Sequence, residues 1–86
     1  MVAAASRTVK RMPRFHFNIF DGTEKPDSEG IELADMAHAR AEAVRAAGEM
    51  IREMGDDIAR GEWQMRVADE SGRTVLTLIV SVREMG

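Results

Sequence analysis

The chain has 86 residues, 44% hydrophobic and 31% charged, which is typical of one small globular domain. It contains no cysteine, so disulfides and thiolate metal sites are excluded, and we expect self-association or a partner to supplement its stability. The net charge is -3, but it is unevenly distributed. Residues 1–14 hold 4 of the 12 basic residues and none of the 15 acidic ones, so they carry +4 and the rest of the chain carries -7. An acidic body argues against broad binding of a phosphate backbone.

The first twelve residues are small, apolar or basic, lack hydrophobic periodicity, and end where Pro13 interrupts the chain. We therefore predict a flexible basic tail over residues 1–12 and a single α+β domain over residues 13–86. We do not expect the chain to bind nucleic acid, and the exception that its charge leaves open is a patch of basic residues at this end of the chain, with Arg66 and Arg83 as further members. The candidate contacts are Arg7, Lys10, Arg11 and Arg14.

From Arg14 the chain alternates, which predicts a strand with Phe15, Phe17 and Ile19 on one face and His16 and Asn18 on the other. The Asp21-Gly22 turn dipeptide and the polar residues 23–30 predict a loop, after which Ile31 and Leu33 form a short returning strand. The acidic residues of this region lack the spacing of a calcium-binding loop. We therefore expect them to be solvated rather than to hold a cation.

A long amphipathic helix follows, which we predict over residues 37–58. Asp35 precedes it and is a good N-cap, because its carboxylate accepts from the free N–H groups of the first turn. The opposite face carries alternating charges, with Arg45 and Glu49 spaced for an ion pair. The predicted apolar stripe is wide. Its centre consists of Ala37, Ala41, Val44, Gly48, Ile51, Gly55 and Ile58, and its flanks consist of Met36, Ala43, Ala47, Met50 and Met54.

A β-hairpin closes the chain. Residues 62–69 alternate around Trp63, the polar residues 69–72 form the turn, and residues 74–82 form the last strand. That strand is apolar on both faces, since Val75 and Ile79 alternate with its other apolar residues. Such a strand is usually central in a sheet or covered by a second subunit.

The residues of the common catalytic and cofactor motifs are missing from this sequence. It has no nucleophile elbow, no phosphate-binding glycine loop and no His or Cys cluster for zinc. Of the two histidines, we expect His38 to be solvated and His16 to be a structural or interface residue rather than an acid or base. We therefore predict no catalytic, cofactor or metal site, and a protein that is not an enzyme.

The motifs resemble those of a family of short bacterial proteins of unknown function. The similarity rests on Met-Pro-Arg-Phe at residues 12–15, the Asp21-Gly22 turn, the alanine-rich helix and the closing hairpin turn. It covers nearly everything from Met12 onward and departs in the added tail and a shortened loop around Lys25. The resemblance implies a bacterial protein and supplies no catalytic residues.

Residues 15–51 are also similar to the front half of HicB-type antitoxins, on the first strand, Gly30-x-Glu32, Asp35 and the alanines of the helix. That resemblance implies a platform of sheet and helix that holds a partner protein and self-associates.

Together these patterns predict a ββαββ fold, with an antiparallel sheet of three or four strands and one long helix packed on one face. We expect a cytoplasmic, non-enzymatic module that self-associates, most simply as a homodimer, binds a protein partner and does not enter a membrane. The alternative is a nucleic-acid-linked regulator of antitoxin type that uses the basic arm. The candidate interface residues are His16, Phe20, Val75 and Ile79.

Overall fold

The structure is a computed structural model that describes residues 12–54, 61–83 and 85. Its strands all pair antiparallel, and one helix packs against the sheet, which confirms the α+β fold. The elements, in chain order, are β1 (Arg14–Phe20), β2 (Glu24–Lys25), β3 (Ile31–Glu32), α1 (Met36–Met54), β4 (Gly61–Ala68) and β5 (Thr74–Val82).

The strand order is β2-β1-β4-β5, and β3 also pairs with β1. The described residues thus form five strands rather than three or four, because the polar pair Glu24–Lys25 adds a short strand where a loop was predicted. Within this part of the chain β5 has no second neighbouring strand. Of the two explanations for its two apolar faces, a central position therefore fails for the described residues, and cover by a second subunit stays a prediction.

The register separates a buried sheet face from an outward one. Phe17 lies opposite Val67, and Ile19 lies opposite Met65. Together with Phe15 and Trp63, these residues form or line the core under the helix. The predicted alternation of the first strand is confirmed, since its odd-numbered residues face the core.

The helix packs through alanines spaced four apart, Ala39, Ala43 and Ala47, which are 0 to 6% exposed. Their small side chains let the backbone approach the sheet closely, so the bulk of the core comes from the strands. The predicted stripe was wrong about its centre, because Ala37, Ala41, Val44, Gly48 and Ile51 lie on the solvent side of the helix. Its predicted flanks do face the sheet: Ala43 and Ala47 are buried, and Met36, Met50 and Met54 pack against the core. Its remaining members, Gly55 and Ile58, lie outside the described residues.

Asp35 caps the helix as predicted. Its Oδ1 accepts the backbone N–H of His38 at 3.0 Å, and its carbonyl accepts the N–H of Ala39. On the charged face Arg45 pairs with Glu49 at 2.9 Å, as its spacing predicted, and also with Glu42.

Candidate functional site

The sheet face opposite α1 is the candidate functional site, and we call it the open sheet face. Its residues alternate along β1, β4 and β5 with those that line the core. The register aligns them in rows across the strands, with Asn18 opposite Arg66 and Gln64 opposite Ile79. The open sheet face comprises His16, Asn18 and Phe20 on β1, Glu62, Gln64, Arg66 and Ala68 on β4, and Thr77, Ile79 and Ser81 on β5.

Ile79 is the most exposed large apolar side chain of the described strands, at 61%. It lies beside Gln64 on β4, which in turn lies opposite Phe20 on β1. A row of three side chains therefore crosses the sheet, with the amide of Gln64 between the apolar side chains of Phe20 and Ile79. Exposed apolar side chains bordered by hydrogen-bonding groups are characteristic of protein-binding surfaces.

Arg66 is held in place at the centre of this face. Its guanidinium lies 5.0 Å from the centroid of the Phe20 ring. Its Nε donates to Gln64 Oε1 at 2.9 Å, and its Nη1 pairs with Glu24 Oε2 at 3.2 Å. The three partners fix the side chain in one orientation, so a partner molecule would meet a pre-ordered surface. Arginine and aromatic side chains are also the residues enriched where proteins bind one another.

His16 lies at the border of the open sheet face and is engaged with the backbone. Its Nδ1 is 2.7 Å from the carbonyl oxygen of Asp27. Because a carbonyl oxygen can accept but not donate, Nδ1 must carry the proton, which leaves Nε2 as the acceptor when the ring is neutral. This contact ties the loop before β3 to β1, which is a structural role.

Asp27 anchors that loop to the edge of β1. Its carboxylate accepts the backbone N–H groups of Phe17 at 3.1 Å, Glu29 at 3.2 Å and Gly30 at 3.1 Å. Its own N–H donates to Asn18 Oδ1 at 2.8 Å. Partial burial raises the pKa of Asp27, but the three N–H donors and the nearby His16 outweigh it, and the pKa lies below its ordinary value.

Gly30 lets the loop approach β1 closely. Its φ is 71°, and a Cβ there would lie 2.8 Å from the carbonyl oxygen of Phe15 and 2.9 Å from atoms of Arg14 and His16. Only glycine fits this position without displacing the strand. The loop is therefore fixed against β1 by the hydrogen bonds of the Asp27 carboxylate and by the close packing of the Gly30 backbone.

The structure brings together three of the four interface candidates. Phe20, Ile79 and His16 share the open sheet face, whereas Val75 lies at an irregularity of the β4–β5 ladder and packs against the core cluster. The sequence interpretation missed Gln64 and Arg66, whose roles depend on cross-strand contacts. Arg66 binds Glu24, 42 positions away in the chain, and no local pattern indicates that pair.

The candidate nucleic-acid contacts are not assembled into a described site. Arg7, Lys10 and Arg11 lie outside the described residues. Arg14 pairs with Glu32 at 3.1 Å and donates to the carbonyl oxygen of Glu29 at 2.7 Å, so its charge is already matched.

The described residues contain no group of three or more histidine, aspartate or glutamate side chains arranged to hold a metal ion. His38, which is exposed, is 2.7 Å from Asp35, and this contact lowers the pKa of the Asp35 carboxyl.

The described part of the chain contains no helix that is long and apolar enough to cross a membrane.

One family model matches the chain, over residues 14–81, and its description is a domain of unknown function, DUF6894. The match begins and ends with the sheet, from β1 to the penultimate residue of β5. Neither the curated proteins nor the solved structures contain a significant match.

Proposed function

We propose that this chain, which belongs to the DUF6894 family, is a non-enzymatic protein-interaction module that self-associates and binds through its open sheet face. The observation that carries the proposal is the row from Phe20 to Ile79, with Arg66 held over the aromatic ring. The bacterial origin implied by the resemblance and the cytoplasmic location expected from the lack of cysteine stay predictions.

The chemistry of the face favours a protein over other ligands. Its one cation, Arg66, is paired with Glu24, so the face offers little charge to a phosphate backbone. The amides of Asn18 and Gln64 and the hydroxyl of Thr77 supply hydrogen-bonding groups around the apolar side chains. A partner with apolar side chains and backbone N–H and C=O groups matches this composition.

The test compares two charge substitutions at equally exposed apolar positions. Ile79→Asp places a carboxylate on the open sheet face, where the wild-type residue is 61% exposed, and Val44→Asp does the same on the outer helix face, where it is 58% exposed. Because both sites are exposed, we expect both variants to fold. Sedimentation equilibrium on the full chain should give a dimer for wild type and Val44→Asp, and a monomer for Ile79→Asp. A monomeric wild type, or dissociation caused by Val44→Asp instead, would contradict the proposal.

The alternative function is a nucleic-acid-linked regulator of antitoxin type. What supports it is the charge of +4 over residues 1–14 next to an acidic body. It requires binding to duplex DNA that weakens steeply with salt and disappears when residues 1–11 are deleted. Binding that is absent, or that is independent of salt, would exclude it.

A further inference from the structure

The two edges of the sheet differ in whether their backbone groups have neighbours. The outer edge of β1 is occupied along its length, by β3 at Phe15, by the carboxylate of Asp27 at Phe17 and by β2 at Ile19. The outer edge of β5 has no neighbouring strand among the described residues. β5 is nine residues long and contains no proline and no charged residue, and both kinds of residue usually keep an edge strand from pairing. Its one irregularity, at Val75, lies before the regular stretch 76–82.

The helix-facing side chains of β5 are also incompletely covered. Val67 on β4 is fully buried and Met65 is 1% exposed, whereas their partners across the ladder, Leu76 and Leu78, are half-buried. Val80 and Val82 are half-buried as well. The core cluster joins the helix to β1 and β4, so the row on β5 lies at the rim of the core.

The sequence of β5 is self-complementary in one antiparallel register. A twofold axis perpendicular to the sheet at Ile79 places Ile79 opposite its own copy and Thr77 opposite Ser81. On the helix side, the same register places Leu78 opposite Val80 and Leu76 opposite Val82. Over residues 76–82 apolar residues thus oppose apolar residues, and hydroxyls oppose hydroxyls, while Arg83 lies opposite Val75 just beyond them.

A neighbouring register is less favourable. If the axis passed through Leu78, Arg73 would lie opposite Arg83 of the other copy at both ends of the strand pair, and like charges directly opposed are destabilising. Thr77 would also lie opposite Ile79, which mixes a hydroxyl with an apolar side chain. The register centred on Ile79 avoids both.

We propose that a second copy of this chain pairs with β5 edge to edge, antiparallel and centred on Ile79, to form one continuous sheet across a twofold dimer. This proposal rests on the self-association proposed above and specifies its geometry. Both helices then lie on the same side, the half-buried rows of β5 meet between them, and the two open sheet faces merge into one broad surface.

The absence of cysteine in the natural chain allows a cross-linking test with single-cysteine variants of the full protein. Opposed residues have Cα atoms about 4.5 to 5.5 Å apart, within the ~4.4 to 6.8 Å range of a disulfide. Ile79→Cys should therefore form a covalent dimer under copper–phenanthroline oxidation of its two thiols. Thr77→Cys or Ser81→Cys alone should not, because identical residues are offset by four positions, about 14 Å. A mixture of the two should cross-link.

Gln64→Cys is the matched control, because Gln64 lies next to Ile79 on the same face but one strand inward. In the edge-paired dimer the two copies of residue 64 are three strand spacings apart, about 14 Å, and should not cross-link. Self-cross-linking of Gln64→Cys as readily as Ile79→Cys would indicate stacked sheet faces, which overturns edge pairing but keeps self-association. A lack of cross-links in every variant, with a monomeric wild type, would overturn both proposals.

Discussion

The carboxylate of Asp27 accepts the backbone N–H of Phe17 at 3.1 Å, in the gap on β1 between β2 and β3. A side chain here takes the place of a neighbouring strand. The same carboxylate holds the loop backbone at Glu29 and Gly30, so one residue joins the loop to the sheet. The outer edge of β1 is thus occupied, whereas the outer edge of β5 has no neighbouring strand among the described residues.

Removing this carboxylate should destabilise the domain. Asp27→Ala leaves the N–H groups of Phe17, Glu29 and Gly30 without their acceptor, and we expect a loss of about 2 to 4 kcal/mol in the free energy of unfolding. Asp27→Asn keeps one acceptor oxygen and should lose roughly half as much. Urea denaturation followed by circular dichroism measures both. Equal stability of Asp27→Ala and wild type would show that the loop is not anchored in this way.

The lowered pKa of Asp27 predicts a pH dependence that its asparagine variant lacks. A carboxyl whose pKa is lower in the folded state stabilises the fold above its unfolded pKa of about 3.9, and that stabilisation is lost as pH falls through the folded pKa. The stability difference between wild type and Asp27→Asn should therefore shrink as pH falls from 6 towards 3. Other carboxyls titrate in both proteins, so the difference isolates Asp27. A difference that is constant over this range would contradict the assignment.

Gly30 and Gly72 both have positive φ, 71° and 88°, but their surroundings differ. A Cβ at Gly30 would meet Phe15, Arg14 and His16 within 2.9 Å, whereas one at Gly72 would meet nothing within 4 Å. Gly72→Ala should lose about 1 kcal/mol from backbone conformation alone, and Gly30→Ala should lose about 2 kcal/mol or more. Thermal unfolding of the two variants measures the contrast. Equal losses would mean that the loop moves away from β1 without penalty.

The close approach of the helix to the sheet predicts a strong dependence on residue size at Ala43, which is 0% exposed. Ala43→Leu inserts three carbon atoms into a packed contact and should destabilise the domain by about 1 to 3 kcal/mol. The matched variant Ala41→Leu, on the exposed side of the same helix, should change stability by less than about 0.5 kcal/mol. If the order of the two were reversed, the helix would be packed through Ala41 and the centre of the predicted stripe.

The helix α1 carries two apolar stripes, one facing the sheet and one facing solvent. Val44 and Ile51 have large side chains and drew the sequence interpretation to the outer one, although Val44 is 58% exposed. The inner stripe consists of alanines, whose smaller apolar area is a weaker signal in a periodicity analysis. Periodicity predicted that a helix exists and where it begins, but it could not decide between two apolar faces.

The first strand shows the opposite case. The alternation of Phe15 and Phe17 with polar residues fixed both the strand and its buried face, because a strand has one simple period. The residues of the candidate site could not be predicted in this way, because their roles depend on contacts between residues that are distant in the sequence. Asp27 was one of several acidic residues in a polar loop, and Arg66 acquires its role from Phe20 and Glu24 across the sheet.

Residue-resolved hydrogen exchange of the β5 amides tests the central claim most directly. In an edge strand without a partner, alternate N–H groups point towards solvent, so protected and unprotected amides should alternate from Thr74 to Val82. Edge pairing with a second copy predicts protection of successive amides around Ile79, and its loss in Ile79→Asp. Rapid exchange of every second β5 amide in the wild-type chain, at high protein concentration, would contradict the account.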